Sequence, residues 1–122
     1  MTGLRVVIID DLRDHAAVLA FAFEALGHRV RVAFDGPSGL SLVLASAPHL
    51  VLVDIILPNT HGWTLARAIR SMPLTAQPRL VAISGQCGLD QRICSLAAGF
   101  DDHVVKPFGL DTLTRLTTRA PN

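Results

Sequence analysis

Residues 50–62 read LVLVDIILPNTHG. Leu50 to Val53 are apolar without a break, and they lack the alternation of a strand with one wet face. Both faces of this strand are therefore expected to be buried. Four more short, β-branched runs occur outward from it: Val6–Ile9, Val30–Phe34, Leu80–Ile83 and His103–Val105. Between the runs lie segments with helical spacing. Leu12–Leu26 stops at Gly27 and Leu89–Ala98 stops at Gly99, both natural helix C′ residues. Pro37–Ala47, Trp63–Met72 and Leu110–Arg119 each end just before a proline. Five strand–helix units in succession predict an α/β fold, a doubly wound parallel sheet with right-handed crossovers and helices on both faces.

The composition agrees. The chain has 122 residues, 50% of them hydrophobic and 17% charged, enough for one core and too apolar for disorder. A formal charge of +1 gives no pull toward nucleic acid or anionic membrane, so neither is expected as a direct partner. The longest apolar stretch, Ala16 to Phe23, is far too short to span a bilayer. The N-terminus shows no signal-peptide pattern, and Cys87 and Cys94 have neither disulfide-framework nor metal-site spacing, so a reduced, cytoplasmic setting is expected. The Met1 start leads to the expectation of one domain over 1–122, either alone or as the N-terminal piece of a longer protein.

The charged residues are unevenly chosen. Nine of the ten acids are Asp, with Glu24 the exception; ten of the eleven basic residues are Arg, with Lys106 the exception. Asp favours caps, turns and sites over helix interiors. In an open α/β sheet, ligands bind beyond the carboxyl ends of the strands. Those ends carry Asp10-Asp11, Asp35, Asp54, Ser84-Gly85 and Lys106-Pro107. With the flavodoxin-like (βα)5 strand order 2-1-3-4-5, the first and third strands are neighbours, and Asp10, Asp11 and Asp54 converge. Three like charges in one crevice repel, and a hard divalent ion such as Mg²⁺ relieves that repulsion. Lys106 brings a compact ammonium suited to a phosphate, Ser84 a hydroxyl, and Gly85 room for a ligand oxygen near the backbone. Together they describe a site for a phosphoryl group with Mg²⁺ and a carboxylate nucleophile. The isomer of the Lys106–Pro107 bond stays open at this point.

Four motifs, VVIIDD, VDIILPNTHG, VAISG and KPF, occurring in this order at strand ends, resemble the response-regulator receiver domain of two-component signalling over essentially the whole chain. The resemblance implies a phosphoacceptor at Asp54 that takes its phosphoryl group from a phosphohistidine. It implies Mg²⁺ ligation by Asp11, Asp54 and the backbone carbonyl of Ile56, with Asp10 acting through water. Lys106 and Ser84 would bind the phosphoryl group. His103 matches the switch position, commonly Tyr or Phe, and the bland reading of it is a solvent-tipped spacer. Such a domain is not an enzyme in the usual sense, since it turns over only its own phosphoryl group.

The implied partners are a sensor histidine kinase or histidine phosphotransfer protein, and a second copy through the face of the fourth helix, fifth strand and fifth helix. On the first helix, His15, Val18, Leu19, Ala22 and Leu26 share one face and are expected to pack on the sheet. Phe21 and Ala17 point away and, with Pro107, are candidate docking residues. His61, where the family has an acid or amide, is expected to cap the third helix less well than they would. The resemblance also implies that Ile56 and Gln86 occupy positions that tune phosphoryl lifetime in the family, and an apolar Ile56 predicts a long one. Asp35, Asp101 and Asp102 read as turn and cap residues; His15, His28 and His49 are not spaced as a metal cluster.

Three other readings are weaker. A receiver-like module that binds partners without phosphorylation would have lost an acid or the lysine. A haloacid-type phosphatase needs a second Asp at position 56, and a flavodoxin-like flavin protein needs a Ser/Thr/Gly loop where this chain has Asp-Asp-Leu-Arg-Asp.

Overall fold

The computed structural model describes residues 3–85 and 88–118, and in it each of the five short β-branched runs forms a strand. The elements alternate strictly: β1 (Arg5–Ile9), α1 (Arg13–Ala25), β2 (Arg29–Ala33), α2 (Gly36–Ser46), β3 (Leu50–Asp54), α3 (Gly62–Ser71), β4 (Arg79–Ser84), α4 (Leu89–Ala98), β5 (Asp102–Val105) and α5 (Leu110–Thr118). The sheet is parallel throughout, in the order β2-β1-β3-β4-β5. Gln86, Cys87 and Arg119 lie outside the described residues.

Alternate residues of each central strand feed two cores. Val7, Ile9, Val51 and Val53 face α2, α3 and α4, where they meet Val43, Leu65, Ala66 and Ile69. Val6, Ile8, Leu50 and Leu52 face α1 and α5, where they meet Leu19, Phe23, Leu113 and Leu116. β3 is buried along its whole length, as its unbroken apolar run requires.

Local chemistry sets several element ends. Asp35 caps α2 by accepting the Ser38 amide at 2.8 Å, and Pro37 follows in the first turn. Gly99 ends α4 in the left-handed region at φ 116°. His28 and His49 each accept a backbone amide at the start of the first strand, from Leu4 and Arg5, both at 2.9 Å. They tie the start of β1 to the starts of its two neighbours, β2 and β3.

Two expectations need correction. In α1 the buried residues are Ala16, Leu19 and Phe23, while Val18 is 67% and Leu26 39% exposed. The helix is apolar on most sides, so periodicity alone leaves its rotation undecided. The bulk of Phe23, fully buried and edge-on to His28, decides it, and His15 turns to the site instead of the sheet. His61 caps α3 through its ring: Nδ1 accepts the Trp63 amide at 3.1 Å. Asp102 is no turn residue. It is the buried first residue of β5, with Arg115 at 2.9 Å, Arg92 at 3.4 Å and Arg79 at 3.8 Å. Burial pushes its carboxyl up, but the hydrogen bond from Arg115, the His103 amide and the charges of Arg115 and Arg92 outweigh this and hold it below the ordinary carboxylate value.

Candidate functional site

Asp10 follows β1 and Asp54 ends β3, and pairing of these two strands brings the carboxylates together. One oxygen from each of Asp10, Asp11 and Asp54 lies within 4.8 Å of the others. Asp10 is 1% and Asp54 6% exposed, so two of the three charges are withdrawn from water. Backbone amides fix both. Leu12 N–H donates to Asp10 Oδ1 at 2.9 Å, and Ile56 N–H donates to Asp54 Oδ1 at 3.0 Å.

Lys106 enters from β5. Its amide donates to the Ser84 carbonyl at 2.8 Å, which sets the two strand ends side by side. Its Nζ lies 3.0 Å from Asp54 Oδ2 and 3.8 Å from Asp10 Oδ2. The Lys106–Pro107 bond is cis. Desolvation raises the Asp54 carboxyl above the ordinary carboxylate value; Lys106 and the Ile56 amide pull it back only in part, and the charge of Asp10 pushes it up further. Lys106 therefore offsets only part of the cost of burying the Asp54 charge. Three hard oxygen donors in that condition suit a small divalent cation.

Gly62 lets the loop after Asp54 close. Its amide donates to the Ile55 carbonyl at 2.7 Å, and a Cβ there would lie 2.6 Å from Ile55 Cα. The loop turns back through a bridge between Ile56 and His61. Ile56 is left 70% exposed, lining a cleft of about 350 Å³ with Trp63, His61, Ser84 and Gly85.

His103 is not solvent-tipped. It is 3% exposed, its Nε2 lies 2.9 Å from Ser84 Oγ and its Nδ1 2.9 Å from Ser95 Oγ. Ser95 in turn accepts the Trp63 indole N–H at 2.9 Å. Sequence reasoning missed the pairing of His103 with Ser95, and that of His15 with the Asp10 carboxylate. The second had a signal: a histidine five residues after Asp10, in the first turn of the helix that follows it. Phe21 and Ala17 are exposed on α1, Phe21 by 73%, and Pro107 is also exposed. Cys94 is free and exposed, and among the described residues no helix is long and apolar enough to cross a membrane.

This arrangement is that of a known family. The family model "Response regulator receiver domain" matches residues 6–118, and the chain belongs to that family. Among its relatives, Response regulator PleD of Caulobacter vibrioides is 29% identical over 103 residues, 84% of this chain and 23% of that protein. Transcriptional regulatory protein PrrA of Mycobacterium tuberculosis is 32% identical over 113 residues, 93% of this chain and 48% of that protein. The chain thus spans half or less of the length of these curated relatives. A putative response regulator from Chloroflexus aurantiacus superposes with a TM-score of 0.86 at 27% identity, over 93% of each chain. The receiver domain of the sensor histidine kinase PA1611 from Pseudomonas aeruginosa, solved with magnesium coordinated in its active site cleft, shares the fold at a TM-score of 0.87, 24% identity and 97% coverage of each chain.

Proposed function

We propose that this receiver accepts a phosphoryl group on Asp54 and passes the event to a partner by a change at β4 and β5. The observation that carries the reading is the Asp54 carboxylate, buried between two further acids and held 3.0 Å from the single lysine. An Asp54 oxygen attacks the phosphorus of a phosphohistidine, the P–N bond breaks, and the imidazole leaves with its electron pair and takes up a proton. Lys106 neutralises the transferred group and Ser84 donates a hydrogen bond to it. Water later hydrolyses the acyl phosphate and returns free Asp54 and inorganic phosphate.

Asp11, Asp54 and the Ile56 carbonyl would hold Mg²⁺, with Asp10 acting through water. When bound, the ion supplies positive charge to the phosphoryl oxygens and offsets the mutual repulsion of the acids. The phosphodonor is a sensor histidine kinase or a histidine phosphotransfer protein, docked over α1 at Phe21 and Ala17 and beside Pro107. The exposed Leu89, Ile93 and Leu96 of α4 support a second copy as one taker of the α4–β5–α5 face. Retention of all three acids, Lys106 and Ser84 favours this reading over an interaction module without phosphorylation. The direct test is binding of beryllofluoride, a phosphoryl mimic, in the presence of Mg²⁺, followed by Trp63 fluorescence. Binding lost in Asp54→Ala is the expected result; no binding by the wild type, or binding unchanged in Asp54→Ala, overturns the assignment.

A further inference from the structure

Four side chains from four elements form one hydrogen-bonded chain whose two ends, Trp63 and Ser84, line the cleft beside Asp54. Trp63 at the start of α3 donates to Ser95 on α4, Ser95 touches His103 Nδ1 on β5, and His103 Nε2 touches Ser84 at the end of β4. The last three are buried, at 0%, 3% and 5% exposure. We infer that Trp63 and Ser95 are positioning residues that fix the His103 imidazole in its Nε2–H tautomer and thereby turn the Ser84 hydroxyl proton toward an anion on Asp54. The inference rests on the phosphoacceptor reading and extends it.

Direction in the chain follows from donor inventory. An indole N–H can only donate, so Ser95 Oγ is an acceptor toward Trp63. Its own proton needs an acceptor. Ser46, Ser71 and Thr117 turn their hydroxyls back onto a carbonyl of their own helix, whereas Ser95 reaches across to His103 Nδ1 at 2.9 Å. A neutral imidazole that accepts at Nδ1 carries its proton on Nε2. His103 then donates to Ser84 Oγ, and the Ser84 proton is directed to some other acceptor. In the opposite tautomer Nε2 is an acceptor, and it competes with any bound anion for the Ser84 proton. A Tyr or Phe at position 103 could not make this distinction, because neither offers a ring that accepts on one side and donates on the other.

The consequence is energetic coupling among residues that do not all touch the anion. Each link is a neutral hydrogen bond at least partly withdrawn from water, and losing the orientation of one such donor costs roughly five- to tenfold in affinity. The test uses the described chain with ¹⁵N-labelled histidine. In the complex with Mg²⁺ and beryllofluoride, the His103 nitrogens should show Nδ1 in the pyridine-like and Nε2 in the pyrrole-like range. By calorimetry, Ser95→Ala and Trp63→Phe should each weaken beryllofluoride binding roughly five- to tenfold, and Ser95→Thr, which keeps the hydroxyl, should restore it. Ser84→Ala should weaken binding about as much, and adding Ser95→Ala to it should weaken binding no further.

A packing role alone predicts lower thermal stability in Ser95→Ala with unchanged tautomer and unchanged affinity. An Nδ1–H tautomer in the complex, wild-type affinity in Ser95→Ala, or additive losses in the double variant would overturn the inference while leaving Asp54 as phosphoacceptor. Failure of the wild type to bind beryllofluoride at all would overturn both.

Discussion

The amine of Lys106 lies 3.0 Å from Asp54 Oδ2, and yet burial still holds the Asp54 carboxyl above its ordinary value. The buried Asp54 carboxylate is thus a source of instability that the fold tolerates, and this sets the first prediction.

Asp54→Asn should stabilise the protein. A carboxyl raised on folding binds its proton more tightly in the native state, so its ionisation costs stability as pH rises past the ordinary value of about 3.9. At neutral pH that cost is in force. The amide keeps an acceptor for the Ile56 N–H and removes one charge. A gain of about 1 kcal/mol, or roughly 3–5 °C in Tm, is expected by calorimetry without Mg²⁺, with the gain shrinking when Mg²⁺ is added.

Lys106→Ala should leave Mg²⁺ binding in place but slow phosphorylation of Asp54 by about two orders of magnitude, the usual cost of removing a preorganised charge partner. Lys106→Arg should rescue little, because a planar fork does not fit between Asp10 and Asp54 as a compact ammonium does. Rates of adduct formation from a small phosphodonor measure both.

Asp102→Ala should cost about 2–3 kcal/mol. It strips Arg79, Arg92 and Arg115 of their shared carboxylate; the guanidinium of Arg79 is half-buried, and its Nε already lacks a hydrogen-bond partner among the described residues. The Asp102 carboxyl is lowered on folding, so its contribution is present above the ordinary carboxylate value and is lost as pH falls below about 4. Urea melts of wild type and variant should therefore converge below that pH.

His28 supplies a pH dependence of opposite origin. Its Nδ1 must be unprotonated to accept the Leu4 amide, and burial lowers its affinity for a proton below the ordinary histidine value. The unfolded chain binds that proton first, so stability falls as pH drops through about 6.5. The stability difference between wild type and His28→Ala should narrow from pH 7.5 to pH 5.5 in denaturant titrations.

Ile56→Asn should shorten the life of the phosphoryl group by about tenfold, because an amide at this exposed position can hold an attacking water that an alkyl group cannot. Loss of the acid-labile label with time measures it, and a slower loss in the variant would contradict this reading.

The strand ends were legible because burial on both faces leaves an unbroken apolar run that stops where a polar residue meets the cleft. Asp10, Asp54, Ser84 and Lys106 follow that pattern, whereas Asp35 turns to cap α2 instead. The rotation of α1 was not legible. Its sequence is apolar almost all round, and the deciding contact is the volume of Phe23 against the sheet. Asp102 was misread for the opposite reason: Asp looks like a turn former until Arg79, Arg92 and Arg115, from three elements, surround it. The chain through Ser95 was invisible because a lone serine in Ile93-Cys94-Ser95-Leu96 carries no signal until α3, α4 and β5 pack. What survives of the uneven charge count is the lysine: the sole Lys106 does sit where a small cation meets two carboxylates.

The central claim is tested most directly by incubating the protein with its phosphohistidine donor or a small phosphodonor and Mg²⁺, then locating the modification by mass spectrometry. A single acid-labile phosphoryl group on Asp54, absent in Asp54→Ala, is the result predicted here. A phosphoryl group on any other residue, or an undiminished label in Asp54→Ala, would contradict it.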